Sequence, residues 1–235
     1  MTPFIAELAG SALLIILGDG VVANVILNKT KGYNGGLIAI TFGWAIAVFV
    51  AVYATASSSG AHLNPAVTLA LASIGKFEWS LVPTYLLAQL LGSMLGALIM
   101  WVAYRQHFNA TEDAATKLGV FCTSPAINKP VDNFLSELIG TFVFVFAILF
   151  IVKSDNSLGS LDALPVALLV LGIGLSLGGP TGYAINPTRD LGPRIMHALL
   201  PMKNKGGSDW GYSWIPVIAP IAGGVLAALV YQWIV

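Results

Sequence analysis

Charge is scarce in this chain. Asp, Glu, Lys and Arg make up 9% of its 235 residues, where a water-soluble domain carries about a quarter. The 11 basic and 11 acidic residues cancel, so no net field draws a polyanion, and nucleic-acid partners are excluded. A single cysteine, Cys122, excludes an intrachain disulfide. Histidine is almost as rare, and no second His or Cys stands at ligand spacing from His62. There is no Ser-His-Asp grouping, metal-spaced cluster or phosphate loop, which argues against an enzyme and against any cofactor. A basic leader is also missing. The first apolar stretch starts almost at Met1 and carries Glu7 and Asp19, which reads as a retained span, not a cleaved signal peptide.

What fills the space is apolar sequence: 57% hydrophobic residues and a mean hydropathy of +0.82. Six stretches reach the ~20 residues a membrane-crossing helix needs: 4–27, 36–56, 82–105, 132–153, 162–179 and 213–233. Two more, 65–74 and 187–198, are too short to cross. Each follows a glycine-containing polar approach and an Asn-Pro step, Asn64-Pro65-Ala66 and Asn186-Pro187-Thr188. Proline at a first helical position loses only a hydrogen bond that would be absent anyway, and the Asn cap leaves helix-start donors facing outward. Non-helical backbone at membrane depth must be buried or line a cavity. The two short stretches are therefore expected to be re-entrant half-helices meeting at the centre of a pore.

The chain repeats itself. Phe4-Ile5-Ala6-Glu7-Leu8-Ala9-Gly10 matches Phe134-Leu135-Ser136-Glu137-Leu138-Ile139-Gly140, and Leu91-Gly92-Ser93 matches Ala222-Gly223-Gly224. Three spans per copy force the second copy to enter the membrane from the opposite side. The expected organisation is a first repeat at 1–105, a polar linker at 106–131 and a second repeat at 132–235. The fold class is an all-α membrane protein, with six spans and two half-helices in an inverted repeat around a central pore.

Ionisable residues in apolar sequence are functional candidates by default. Arg189 lies in the first turn of a half-helix, where a cation opposes the helix dipole; a pore role and a buried ion pair with Asp190 are the two readings. Glu7 and Glu137 occupy equivalent repeat positions and are expected to hold the re-entrant backbone. His62 reads as a neutral, hydrogen-bonded loop histidine partly lining the pore, ahead of a gating role. Asp19 lines a vestibule or is solvated. The repeated glycines, Gly92, Gly96, Gly223 and Gly224, let helix backbones approach closely. Trp44 and Gly174 each stand 37 residues after their repeat glutamate, so one position carries a large side chain in one half and none in the other, which opens one wall; an interfacial anchor is the other reading of Trp44.

The segments Ser59-Gly60-Ala61-His62-Leu63-Asn64-Pro65-Ala66-Val67-Thr68 and Gly182-Tyr183-Ala184-Ile185-Asn186-Pro187-Thr188-Arg189-Asp190-Leu191-Gly192-Pro193-Arg194, paired in repeated halves, resemble the aquaporin superfamily over essentially the whole chain. Asp190, Arg194 and Pro216-Val217 resemble its glycerol-facilitator branch. Thr188 stands where the family usually has Ala, and Tyr183 where it more often has Phe. The resemblance implies a passive channel for glycerol and other small uncharged solutes that also conducts water and excludes ions and protons. It implies a selectivity filter of Trp44, Gly174, Tyr183 and Arg189, a homotetramer, and a multi-pass location in the cell membrane. A water-selective channel and an inverted-repeat carrier are the alternatives. Orientation is contested. The resemblance puts both termini inside, whereas the Lys and Arg count puts Lys29, Lys31, Arg105, Lys117, Lys129, Arg194, Lys203 and Lys205 on the side opposite the termini, against Lys76 and Lys153 on the terminal side, which the positive-inside rule reads the other way.

Overall fold

A computed structural model describes residues 1–151 and 161–235. Every regular element among them is helical. In chain order these are α1 (Pro3–Ile26), α2 (Gly36–Ser59), α3 (Pro65–Ser73), α4 (Val82–Ala110), α5 (Ala114–Phe121), α6 (Pro130–Ile151), α7 (Leu164–Leu177), α8 (Pro187–Leu199) and α9 (Ile215–Ile234).

Five of them are long and apolar enough to cross a membrane: α1, α2, α4 with the 3-10 turn before it, α6 and α9. The fifth expected span, 162–179, is the 14-residue α7, shorter than the ~20 residues a crossing needs. Leu161–Ala163 form a turn before Pro165 at the helix start, and Gly178 ends it. The last two residues of the expected fourth span, 152–153, and with them Lys153, lie outside the described residues. Both short apolar stretches are the half-helices α3 and α8.

The polar linker differs from expectation in two ways. Helix α4 runs to Ala110, because residues 103–110 contain no helix breaker, and the charge at Arg105 marks only where apolar sequence ends. Asp113 then caps α5, accepting from both the N–H and the hydroxyl of Thr116 at 2.6 Å, and those bonds hold its carboxyl below the usual range.

The membrane setting inverts the usual distribution of side chains. Along α4 the large residues Leu87, Leu91, Leu95, Ile99 and Val102 face outward, spaced three or four apart as one helix face requires. The middle of its buried face carries the small residues Ala88, Gly92, Ser93, Gly96 and Ala97. That face lies against α1, as α9 lies against α6. A Cβ at Gly92 would overlap the Leu8 carbonyl oxygen, and one at Gly223 the Leu138 carbonyl oxygen. Lipid supplies no hydrophobic drive between helices, so this close backbone approach is what joins them. The halves also interlock: α2 packs on α7, α3 on α9, and α4 on α8, while α3 and α8 touch.

Gly223→Val therefore wedges the α6–α9 seam open. It should lower the unfolding free energy by about 3 kcal/mol or more, the upper range for overpacking, read as a fall in the thermal midpoint of purified protein. Gly172→Ala, where a Cβ meets nothing within 4 Å, should leave the midpoint unchanged or raise it by the equivalent of up to about 1 kcal/mol.

Candidate functional site

The two Asn-Pro steps fold alike. Asn64 and Asn186 are both extended, at φ −157° and −152°, and their Oδ1 atoms cap the half-helices they precede. Asn64 Oδ1 accepts from Ala66 N at 2.8 Å; Asn186 Oδ1 accepts from Thr188 N at 3.1 Å and Arg189 N at 3.3 Å. The Thr188 hydroxyl donates to the same Oδ1 at 3.1 Å, so this side chain reinforces the cap. Each asparagine also reaches across to the other loop: Asn64 Nδ2 donates to Ile185 O and Asn186 Nδ2 to Leu63 O, both at 2.8 Å. An amide nitrogen carries two hydrogens, so one N–H remains on each.

The loops behind these caps alternate in backbone hand. Gly60, Ala61 and Leu63 have positive φ, as do Gly182, Tyr183 and Ile185, a conformation costing about 1–3 kcal/mol at non-glycine residues. It brings N–H groups to one side, where a buried carboxylate collects them. Glu7 accepts from Ser59 Oγ at 2.6 Å, His62 N at 2.9 Å and Leu63 N at 2.7 Å. Glu137 accepts from Thr181 Oγ1 at 2.6 Å, Ala184 N at 2.9 Å and Ile185 N at 3.0 Å. Charge-assisted bonds contribute about 1.5–3 kcal/mol each, enough to offset the strain. Gln89, which the sequence reading passed over, donates from Nε2 to Glu7 Oε2 at 2.8 Å and to Thr68 Oγ1 at 3.0 Å. A buried glutamine in the middle of an apolar span was the available signal.

Between and beyond the loops runs a cavity of about 1190 Å³, lined by both Asn residues, by His62 and the loop backbones, and by Trp44, Tyr183 and Arg189. His62 Nδ1 lies 3.1 Å from Thr68 Oγ1, and its ring meets Phe77 and Tyr85 edge-on or tilted. The Arg189 guanidinium sits 4.2 Å from the Trp44 ring centroid, and its Nη1 has no hydrogen-bond partner among the described residues. The ion-pair reading of Arg189 is not what forms: Asp190 pairs with Arg194, whose Nε lies 2.8 Å from Asp190 Oδ1. Asp190 Oδ2 also accepts from Thr123 N and Oγ1, both at 2.8 Å. Arg194 in turn donates to the carbonyls of Thr123, Ser208 and Asp209. The pair thus ties the α5–α6 connection and the α8–α9 connection to the half-helix that carries Arg189.

Gly174 sits beside the cavity without forming its wall. A Cβ there would come within 2.7 Å of Thr41 Cγ2 and 2.9 Å of Tyr183 Cζ, so Tyr183 occupies the space the glycine leaves. Gly18 plays the same part for Trp44: a Cβ would overlap the indole. Sequence spacing did not reveal Gly18. Asp19 neither lines the cavity nor meets solvent; it is fully buried, because its turn of α1 lies inside the bundle rather than at its end. Several basic residues on the side opposite the termini are internal fasteners. Lys117 Nζ bonds Lys203 O, Lys205 Nζ bonds the carbonyls of His197, Ala198 and Leu200 at the end of α8, and Arg194 is fully buried. These charges are engaged by the fold, which weakens the orientation argument built on their number.

Fold and site define an integral multi-pass membrane protein whose two half-helices meet beside a central cavity. The family model for the major intrinsic protein matches residues 1–231. The probable glycerol uptake facilitator protein of Thermotoga maritima is 53% identical over 234 residues, covering 100% of both chains. Glycerol uptake facilitator protein 3 of Lactiplantibacillus plantarum is 53% identical over 228 residues, covering 97% of this chain and 95% of its own. Among solved structures, the aquaglyceroporin from Plasmodium falciparum superposes with a TM-score of 0.86 at 34% identity, covering 97% of this chain and 94% of its own. The chain belongs to the major intrinsic protein family.

Asp190→Ala removes the acceptor for two Thr123 donors and strands Arg194. Breaking a buried pair costs about 3–5 kcal/mol, so the thermal midpoint should fall accordingly. A midpoint within the error of the wild type would show the pair to be dispensable.

Proposed function

We propose that this protein is a passive channel for glycerol and other small uncharged solutes in the cell membrane. The observation that carries the reading is the meeting of unlike groups in one cavity: the Trp44 and Tyr183 rings line it together with the Arg189 guanidinium, which lies over the Trp44 ring. A polyol has a carbon edge and a hydroxyl edge. The rings suit the first, while Arg189 and the loop backbone suit the second. Relatives that carry the name glycerol uptake facilitator support the same permeant.

In this reading Trp44, Tyr183 and Arg189 form the selectivity filter, and Gly174 acts through Tyr183 by giving its ring somewhere to lie. Asn64 and Asn186 each offer their remaining N–H to a passing oxygen. The half-helix N-termini of α3 and α8 place partial positive charge at the centre, so water passes while protons and cations do not. The halves 1–105 and 132–235, joined by 106–131, act as an inverted pair around this path. The assembly is a homotetramer with a pore in each protomer and its termini in the cytoplasm. Nothing in the mechanism calls for a cofactor.

Proteoliposomes under a glycerol gradient test the reading by light scattering. Glycerol flux should stay linear to high concentration, depend weakly on temperature, and survive dissipation of proton and sodium gradients; saturation at micromolar levels, or accumulation against a gradient, would indicate a carrier. Gly174→His pushes the Tyr183 ring into the lumen, so glycerol permeability should fall about tenfold or more while water flow remains substantial, as steric exclusion acts on the larger permeant. Equal glycerol flux in variant and wild type would move the constriction elsewhere.

A further inference from the structure

The hydrogen of one buried hydroxyl decides the polarity of the His62 ring. Thr68 Oγ1 lies 3.1 Å from Asn64 O, 3.0 Å from Gln89 Nε2 and 3.1 Å from His62 Nδ1. A hydroxyl has one hydrogen to give and two lone pairs to fill. Asn64 O is a carbonyl and only accepts, so the hydrogen goes there. Gln89 Nε2 only donates; its other hydrogen goes to Glu7 Oε2 at 2.8 Å, and that carboxylate fixes which end of the amide faces it, although Gln89 Oε1 is then left unbonded. The remaining lone pair of Thr68 is filled by His62 Nδ1 as an N–H. The reverse arrangement, with Nδ1 accepting, would lose the bond to Asn64 O and set two oxygens 3.1 Å apart with no hydrogen between them. In a neutral imidazole one nitrogen carries the hydrogen and the other is a bare acceptor, so the bare nitrogen is Nε2. It has no partner among the described residues and is not buried, and the ring lines the cavity. Phe77 and Tyr85 pack against that ring at centroid distances of 4.7 and 4.9 Å.

We propose that His62 is a hydrogen-bond acceptor for permeant hydroxyls, held in that role by Thr68 and Gln89 as positioning residues. The backbones of the two re-entrant loops match here: His62 N donates to Glu7 as Ala184 N donates to Glu137. Their side chains do not match, since alanine has nothing to offer a solute. The first loop therefore carries an acceptor that the second lacks. Asn64 and Asn186 present N–H donors, and Leu63 O and Ile185 O beside them already accept from those same asparagines. A hydroxyl gives a hydrogen as well as taking one, and Nε2 supplies a free acceptor for it in the same cavity. A solute with O–H groups gains a bond at this point, whereas an anion, which only accepts, meets a lone pair.

The inference rests on the proposed reading of the cavity as a permeation path. Nitrogen NMR on isotope-labelled histidine tests it. The chain has 3 histidines, and His62→Phe identifies the His62 signals by their loss. At neutral pH and without solute, Nδ1 should carry the hydrogen and Nε2 should be bare; adding glycerol should move the Nε2 resonance and leave Nδ1 in place. Thr68→Val keeps the side chain's shape but removes the acceptor for Nδ1–H, so the tautomer should become mixed. Glycerol permeability of the same variant in proteoliposomes should fall about fivefold, the equivalent of one hydrogen bond, and Thr68→Ser should restore both readouts. A loss of flux in Thr68→Val with the tautomer unchanged would make Thr68 merely structural and overturn the proposal. A protonated Nε2 in the wild type, or an Nε2 resonance that glycerol does not move, would overturn it too, and both are read on the unmodified chain whether or not a variant assembles. Absence of glycerol flux in the wild type, with a bare Nε2 that still responds to glycerol, would overturn the channel reading and leave the acceptor standing.

Discussion

The structure depends on satisfying the backbone of two irregular loops at membrane depth. Each loop must leave helical conformation to aim a half-helix at the centre, and each then carries N–H groups that no lipid can bond. Glu7 and Glu137 take those groups, and Asn64 and Asn186 close the remaining gap by bonding the opposite loop. Because each asparagine both caps its own helix and grips its counterpart's loop, neither half-helix can shift without disturbing the other. The central geometry is therefore cooperative.

The outer part of the cavity is built by a different device. Two aromatic rings are seated on glycines, Trp44 on Gly18 and Tyr183 on Gly174, so the absence of a side chain on one helix fixes a ring on another. Arg189 stacks on the first ring. Its helix is held by the Asp190–Arg194 pair, which reaches into the connections on either side. The rigid part of the site thus extends well beyond the side chains that face the lumen, into a buried layer of charge and small residues that no permeant touches.

How much of this was legible varied with the kind of signal. The half-helices were plain because Asn-Pro marks a capped helix start and the apolar stretch after it is too short to cross. The glutamates were legible through repetition: their equal positions in the two halves implied equal work on the two loops. Trp44, Tyr183 and Arg189 were named in advance, and the structure brings all three to one cavity. Burial phase was not legible, since the few polar residues of α1, Glu7, Ser11, Asp19 and Asn24, fall on more than one side and offer no single stripe by which to orient Asp19 or Gly18. Local charge misled twice, by ending α4 at Arg105 and by making Lys117, Lys205 and Arg194 look like free topological markers. Gly174 was read from spacing as open wall, but spacing cannot say which neighbour fills a vacated volume. Pairing of Asp190 with Arg194 needed the helix itself, where residues four apart share a face.

In the proposed reading, solute passes through a cavity lined by the Trp44 and Tyr183 rings and by Arg189, along a path through the paired asparagines. A cryo-electron microscopy or crystal structure with glycerol present tests this most directly. Glycerol density should lie with its carbons against Trp44 and Tyr183 and its hydroxyls toward Arg189, with further solute or water oxygens within hydrogen-bond distance of the free N–H of Asn64 and Asn186. Glycerol found only outside this cavity, or a lumen from which both asparagine Nδ2 atoms are turned away, would contradict it.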